Sequence, residues 1–206
     1  KMNEFKIIND YLKKLVVKNK SSLNLNDDVF FDVSKKTVIS VDTYVEGSHF
    51  IDFKKPELVM KKIIRSSISD LICKGVMPKY YFIAGTGNRK SFSPSNLKKI
   101  IRSLNQEQKK FDIRLGGGDT VFSNKLSFTI TTIGFSKKII NRNNTKVYDD
   151  IYVTGNLGDS FIGLNILKKK IRVNNSLKKY FENKFYHPSL HLKFSKKLNI
   201  FANSTI

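Results

Sequence analysis

The stretch around Asp42 has the residue types of a site for a hard cation. Asp42 comes at the end of an apolar, β-branched run that predicts a strand, and the hydroxyls of Ser40 and Thr43 flank it. His49 follows within one loop. Carboxylate and hydroxyl oxygens are the ligands that Mg²⁺ takes in proteins. An Asx turn, in which Asp42 caps its own backbone, is the alternative and stays open at this point.

Three other aspartate-bearing stretches favour the metal site. Asp27 and Asp28 form a pair ahead of a predicted strand, and Asp119 follows three glycines. Asp70 falls in the last turns of a predicted helix, where a carboxylate opposes the helix dipole and needs another reason to be there. Carboxylates that converge on one point repel each other unless a cation lies between them. We therefore expect these aspartates to bind Mg²⁺.

The run of glycines at 116–118 predicts a loop whose backbone N–H groups can approach phosphate oxygens. A tight turn with a purely structural role is the alternative. The P-loop pattern and the G-x-G-x-x-G pattern are both absent from the sequence. A glycine-rich loop beside Mg-binding carboxylates favours phosphoryl transfer from a nucleotide. His187 and His191 have the spacing of metal ligands, but the break at Pro188 favours ordinary core or surface positions.

The formal charge of +21 raises the question of nucleic-acid binding. Most of the 38 basic residues are lysines in scattered pairs, whereas bidentate recognition of phosphate or guanine relies on arginine. We therefore expect no nucleic-acid partner; an anionic small substrate also fits this charge. No run of 18 apolar residues and no signal-like segment occurs, and the single cysteine excludes an internal disulfide. These features predict a cytoplasmic protein with no membrane partner.

Hydrophobic periodicity predicts an α+β fold, with helices on one face of a mixed, largely antiparallel sheet. The first predicted elements are a helix over 4–17 with one buried apolar stripe and a β-hairpin that turns at Lys35-Lys36. A long helix follows from Pro56 to about Lys74 and ends at Gly75. The remaining predicted elements are a strand over 79–86, a helix from about 94 to 110, and strands over 113–115 and 126–135.

Three regions are predicted along the chain. An N-terminal domain that binds ATP and Mg²⁺ covers residues 1–137, a polar linker covers 138–148, and the beginning of a second α+β domain covers 149–206. The last region is predicted to contain a strand at 151–153, a helix headed by 158–160, and helices over about 176–183 and 189–201. Because one strand cannot close a sheet, we expect this second domain to be incomplete.

Five stretches, in their order and spacing, resemble the thiamine-monophosphate kinase family. They cover residues 26–28, 41–50, 69–71, 117–120 and 150–160. The string Asp-Thr-x-Val-Glu-Gly-x-His-Phe at 42–50 is specific to that family. The wider superfamily, which includes aminoimidazole ribonucleotide synthetase and selenophosphate synthetase, shares the architecture and the acidic residues but not that string.

The resemblance implies an enzyme of thiamine biosynthesis, a homodimeric transferase that passes the γ-phosphoryl group of ATP to thiamine phosphate. It implies several Mg²⁺ ions and no covalent intermediate, so that catalysis is positioning plus charge stabilisation. Carried over by position, the metal ligands are Asp28, Ser40 through its hydroxyl, Val41 through its backbone, Asp42, Asp70 and Asp119. His49 is then a contact of thiamine phosphate, and the ATP contacts are Gly118, Arg142 and Phe111, the last where the family usually has Tyr.

Two departures from the family pattern change what we expect of this chain. Asn26 stands where the family usually has Gly, a mild change because Asn tolerates left-handed backbone. The segment 202–206 runs, in the family, into an Asp-x-Ser-Asp-Gly-Leu motif with further metal, ATP and substrate contacts. We therefore expect these 206 residues, as a fragment or a shortened relative, to bind nucleotide weakly and to turn over poorly or not at all. The alternatives are a non-catalytic basic binding protein on this scaffold and another ATP-using member of the superfamily.

Overall fold

The computed structural model describes residues 3–206, so residues 1 and 2 of the predicted first domain lie outside the described part. Its centre is a five-stranded sheet in the order β1-β2-β5-β3-β4. The strands are β1 Phe30–Asp32, β2 Thr37–Val45, β3 Pro78–Gly87, β4 Arg114–Phe122 and β5 Ser127–Phe135. All neighbouring strands pair antiparallel except β3 and β4, which are parallel. The predicted mixed, largely antiparallel sheet is confirmed.

Seven α-helices accompany the sheet in the described chain. They are α1 Glu4–Asp10, α2 Pro56–Cys73, α3 Pro94–Phe111, α4 Asp159–Leu167, α5 Asn175–Tyr186, α6 Leu192–Ser195 and α7 Leu198–Phe201. Two 3₁₀ helices, Leu12–Leu15 and Lys20–Leu25, lie between α1 and β1. No helix within residues 3–206 is both long and apolar enough to cross a membrane.

Helix α2 is the element that closes the core. It begins with Pro56 at its first position, and the chain leaves it at Gly75, whose φ of +75° suits glycine. Its apolar face is wholly buried at Ile63, Ile64 and Ile68 and packs on β2 and β5. Phe185 and Tyr186 of α5 belong to the same buried cluster. The prediction of this helix from the spacing of its apolar residues is confirmed.

The opposite face of the sheet is exposed and apolar. We call it the open face; its members are Val41, Tyr80, Phe82, Val121 and Phe135, all between 38% and 62% exposed. Alternation along the strands explains the difference, because successive side chains point to opposite sides of a sheet. On β2, Val38, Ser40 and Tyr44 are buried beneath the helices, whereas Val41 between them is exposed.

Three elements differ from the sequence predictions. The helix predicted over 4–17 ends at Asp10, and its stripe is not buried, since Phe5 is 72% and Leu15 80% exposed. Residues 151–153 form no strand and are exposed; β-branched residues favour a strand only where a neighbouring strand pairs with them. The helix predicted over 189–201 is broken into α6 and α7. The division into domains at 138–148 stays a prediction.

Candidate active site

Strand β2 and helix α2 bring two of the predicted metal ligands into contact. Ser40 is buried on the face of β2 that lies under α2, and its Oγ donates a hydrogen bond of 2.6 Å to Asp70 Oδ2. Asp70 lies near the C-terminal end of α2, where the helix dipole disfavours its charge. The hydroxyl of Ser40 therefore supplies the local partner that this carboxylate was expected to need.

Asp42 is held by a second set of hydrogen bonds from the same two elements. The Tyr44 hydroxyl donates to Asp42 Oδ2 over 2.9 Å, and Ser67 Oγ on α2 donates to the Tyr44 oxygen over 3.1 Å. Asp42 lies within β2, paired with Ile130. The alternative of an Asx turn is therefore wrong, because the chain does not turn at Asp42.

The carboxylates of Asp28 and Asp42 lie close enough to Asp70 to raise the pKa of its carboxyl group. Burial and, to a smaller extent, the negative charges of Asp42 and Asp28 raise the pKa of Asp70 to about 7, although the hydrogen bond from Ser40 opposes the rise. Burial also raises the pKa of Asp42, with a smaller contribution from Asp28. Negative charges that lie this close together favour a cation placed between them.

Asp27 and Asp28 are tied down by Lys74 and Arg142. Lys74 is 0% exposed, and its Nζ lies 2.8 Å from Asp27 Oδ1 and 3.7 Å from Asp28 Oδ2. The backbone N–H of Arg142 donates to Asp27 Oδ2 over 2.8 Å, and its guanidinium pairs with Asp28. We call Asp27, Asp28, Asp42 and Asp70 the acidic cluster. Sequence reasoning missed Lys74, because a lysine after the last turn of a helix is ordinary dipole stabilisation.

Asp119 is not brought into the acidic cluster. Along one line across the sheet, Asp119 pairs with Ala84, and Ala84 pairs with Thr129. Asp42 belongs to the neighbouring line, in which it pairs with Ile130, Ile130 with Ile83, and Ile83 with Gly118. Residues in neighbouring lines point to opposite faces of a sheet, so Asp119 points to the open face, away from Asp42. Asp119 is exposed, and its Oδ1 accepts the Thr120 N–H over 2.8 Å.

The glycines before Asp119 form a strand and not the loop or tight turn considered from the sequence. They lie inside β4, where Gly117 and Gly118 pair with Phe82 and Ile83. A Cβ on Gly118 would lie 1.9 Å from the carbonyl oxygen of Ile83. Glycine is required at this position because β3 and β4 approach too closely for any side chain.

His49 and Phe111 have different surroundings. The Nδ1 atom of exposed His49 accepts the Val45 N–H over 3.0 Å, so the neutral ring carries its proton on Nε2. Phe111 is only 8% exposed and packs in the core beneath the Arg65 guanidinium, 5.5 Å from the ring centroid. That burial leaves little of the ring for a nucleotide, and the predicted ATP contact of Phe111 stays a prediction without support from its position.

The donor chemistry of the acidic cluster fits a hard divalent cation, although the ligands are not assembled around one point. No group of three or more His, Cys, Asp or Glu side chains within residues 3–206 could hold a metal ion in the present arrangement. His187 and His191 therefore belong to no such group of three. Asp28 contacts the Arg142 guanidinium and Asp42 the Tyr44 hydroxyl, so these protein donors occupy carboxylate oxygens that a cation would need.

Comparison with known proteins places this arrangement in a family. Residues 26–136 match the family model of the AIR synthase related protein, N-terminal domain. The chain is 35% identical to thiamine-monophosphate kinase from Buchnera aphidicola subsp. Acyrthosiphon pisum (strain APS), covering 100% of this chain and 65% of that protein. The resemblance found in the sequence is thereby confirmed, and the chain spans about two-thirds of the length of that relative.

Solved structures show the same fold. Thiamine monophosphate kinase from Aquifex aeolicus has a TM-score of 0.82 at 23% identity, covering 98% of this chain and 68% of that one. AaThiL complexed with AMPPCP and TMP has a TM-score of 0.83 at 23% identity, covering 99% of this chain and 66% of that one. The chain therefore belongs to the AIR synthase related proteins, whose N-terminal domain it carries.

Proposed function

We propose that the protein takes part in ATP-dependent phosphorylation of thiamine phosphate to thiamine diphosphate, in the cytoplasm. The observation that carries the proposal is the approach of Asp28, Asp42 and Asp70 in a chain that is 35% identical to a thiamine-monophosphate kinase. The structure of AaThiL complexed with AMPPCP and TMP supports the choice of both substrates, because that protein of the same fold holds an ATP analogue together with TMP.

The proposed metal ligands are Asp28, Asp42 and Asp70, with the Ser40 hydroxyl and the Val41 backbone. Bound Mg²⁺ would supply positive charge to offset the anionic phosphates of donor and acceptor. Ser40 and Tyr44 hold the Asp70 and Asp42 carboxylates by hydrogen bonds of 2.6 and 2.9 Å, so both are oriented before any ligand binds. Asp119 is proposed as a ligand on the strength of the family pattern alone, because it points to the other face of the sheet.

Two further side chains are proposed to bind the substrates. His49 has its Nε2–H free of the contact that Nδ1 makes with Val45, and that donor suits the phosphate of thiamine phosphate. Arg142 is proposed to bind ATP phosphates, for which its guanidinium has to leave Asp28. The same movement would release Asp28 as a ligand. Gly118, in the close pairing of β4 with β3, is proposed to lie against the ATP phosphates.

The open face supports the proposal of a homodimer. Its apolar side chains Val41, Phe82 and Phe135 are 62%, 38% and 52% exposed on adjoining strands. Apolar side chains exposed together on one face of a sheet favour an interaction site, and a second copy of the same face would bury them. Sedimentation of the chain at micromolar concentration tests this, with a dimer expected and a monomer contradicting it.

The experiment for the reaction is a Mg²⁺-dependent assay of thiamine diphosphate formation from ATP and thiamine phosphate. The chain is compared with Asp42→Asn, which removes a proposed ligand, and with the control Asp112→Asn. Asp112 is exposed, with a φ of 51° that asparagine tolerates. We expect a low rate that Asp42→Asn abolishes and Asp112→Asn leaves unchanged. Absence of both turnover and Mg²⁺-ATP binding in the chain would favour the non-catalytic binding protein.

A further inference from the structure

Lys74 is a buried charge in the middle of the acidic cluster. It is 0% exposed, and its ammonium lies 2.8 Å from Asp27 Oδ1 and 3.7 Å from Asp28 Oδ2. Its third partner is the carbonyl oxygen of Thr205, at 2.9 Å. Taking a lysine ammonium out of water is costly, so such a residue is stable only where partners satisfy its charge and its donors.

The carboxylate oxygens of Asp27 have more partners than a simple ion pair supplies. Besides Lys74, its oxygens accept the backbone N–H groups of Asp28 and Arg142, each over 2.8 Å. Its side chain is only 4% exposed. Asp27 therefore has no oxygen turned to solvent for a ligand, and it anchors Lys74 next to the carboxylates that are free to bind one.

The charge of Lys74 acts beyond the residues it contacts. It favours the ionised form of Asp70 and so opposes the rise in the pKa of that carboxyl. It also lies within 3.7 Å of Asp28, which is a proposed metal ligand. The ammonium thus lies where it attracts the same carboxylates that would attract a divalent cation.

We propose that Lys74 is a positioning residue that serves as a permanent counter-ion of the acidic cluster, holding Asp27 and Asp28 in place while weakening the attraction of the cluster for a divalent cation. This inference rests on the proposed function, because it takes the cluster to be the metal site. A lysine with a purely structural role would support the fold without changing metal affinity in this direction. Removal of its charge should therefore tighten metal binding even though it weakens the fold.

The test is the affinity of the cluster for Mn²⁺ alone, measured from the electron paramagnetic resonance signal of free Mn²⁺ at pH 7.5. In Lys74→Met the methionine keeps much of the side-chain volume and removes the charge. We expect the Kd for Mn²⁺ to fall on the order of tenfold, because one repelling unit charge a few ångströms from the cation is lost in a partly solvated site. An unchanged or higher Kd would overturn the inference.

A second pair of variants covers the case in which Lys74→Met does not fold. Asp27→Asn keeps an oxygen acceptor and removes the buried carboxylate, so the double variant Asp27→Asn/Lys74→Met leaves no unpaired buried charge at position 27. The double variant is expected to bind Mn²⁺ roughly tenfold more tightly than Asp27→Asn alone, for the same electrostatic reason. Equal affinities of these two variants would overturn the inference.

Lys62→Met is the matched control. Lys62 is a partly buried lysine on the same helix, and its Nζ donates to the carbonyl oxygen of Phe185, away from the acidic cluster. Lys62 precedes Lys74 by twelve residues, a rise of about 18 Å along α2, so its charge acts on the cluster far more weakly than that of Lys74 does. The Kd of the Lys62→Met variant for Mn²⁺ should equal that of the unchanged chain.

No Mn²⁺ binding by the unchanged chain would contradict the proposed metal site as well, whereas binding that Lys74→Met leaves unaltered would contradict only this inference.

Discussion

The ion pair between Arg65 and Glu107 joins helix α3 to helix α2, and breaking it should destabilise the fold strongly. Arg65 Nε lies 2.7 Å from Glu107 Oε2, and Arg65 Nη2 lies 3.0 Å from Glu107 Oε1. The two residues are 7% and 2% exposed. The pair is thus bidentate and almost fully removed from water, which is the case in which losing one partner leaves an uncompensated buried charge.

The magnitude follows from that burial. Glu107→Ala should lower the free energy of unfolding by about 3–5 kcal/mol, the usual cost of breaking a buried pair. Glu107→Gln keeps one oxygen acceptor for the guanidinium and should cost less, about 1.5–3 kcal/mol. The double change Arg65→Met/Glu107→Leu removes both charges and should cost less than Glu107→Ala, because apolar side chains of similar volume often replace a buried pair at little loss.

Urea unfolding followed by far-ultraviolet circular dichroism at pH 7 measures these differences. Lys79 and Asp112 form the surface control, since their pair of 2.6 Å is largely exposed. Lys79→Met breaks this pair without changing the residue at the left-handed position 112, and it should therefore lower the free energy of unfolding far less than Glu107→Ala does. A loss below about 1 kcal/mol in Glu107→Ala, or a double variant less stable than Glu107→Ala, would refute the reasoning that burial makes this pair costly to break.

Two other predictions concern stability. Gly118→Ala should destabilise the chain by about 1–3 kcal/mol in urea unfolding, because its Cβ would lie 1.9 Å from the Ile83 carbonyl oxygen and β3 and β4 would have to separate; an unchanged midpoint would contradict this. Burial lowers the pKa of Lys62 from its ordinary value of 10.5 to about 8. The folded state then binds the proton less tightly than the unfolded state, so charged Lys62 costs stability below pH 8, and this cost disappears as the pH rises to 10.5. Lys62→Met should thus raise the free energy of unfolding at pH 7 by about 1–3 kcal/mol, with a gain that shrinks between pH 8 and 10.5; a gain independent of pH would contradict the assignment.

The elements that could be predicted from the sequence carry their own start and stop signals. Helix α2 has Pro56 at its first position and Gly75 after its end, and its apolar spacing continues without a break between them. The hairpin of β1 and β2 turns at Lys36, with a φ of 54°. Both elements could be predicted from local sequence alone, because residues within or next to each element mark where it begins, turns or ends.

The elements that could not be predicted depend on distant partners. The apolar spacing after Glu4 is helical, but exposed Phe5 and Leu15 show that periodicity alone does not bury a stripe. Residues 151–153 have strand propensity without a paired strand. The glycines at 116–118 predict a loop by propensity but form a strand because they pair with β3, whose close approach at Ile83 glycine allows.

The candidate site was predictable as a set of residues but not as an arrangement. The family pattern identified Asp28, Asp42 and Asp70, and the structure brings these three near one another. It could not show that Asp119 points to the other face of the sheet, because that depends on the register between β3 and β4. It also could not reveal that Lys74 contacts Asp27, a contact between residues far apart in the chain.

The most direct test of the central claim is Mg²⁺-dependent formation of thiamine diphosphate from ATP and thiamine phosphate by this chain, beside Asp42→Asn and Asp112→Asn. Thiamine diphosphate should form slowly with the chain and with Asp112→Asn, and not with Asp42→Asn, because only Asp42 belongs to the acidic cluster. Equal rates in all three proteins would contradict the assignment of the cluster as the site of phosphoryl transfer.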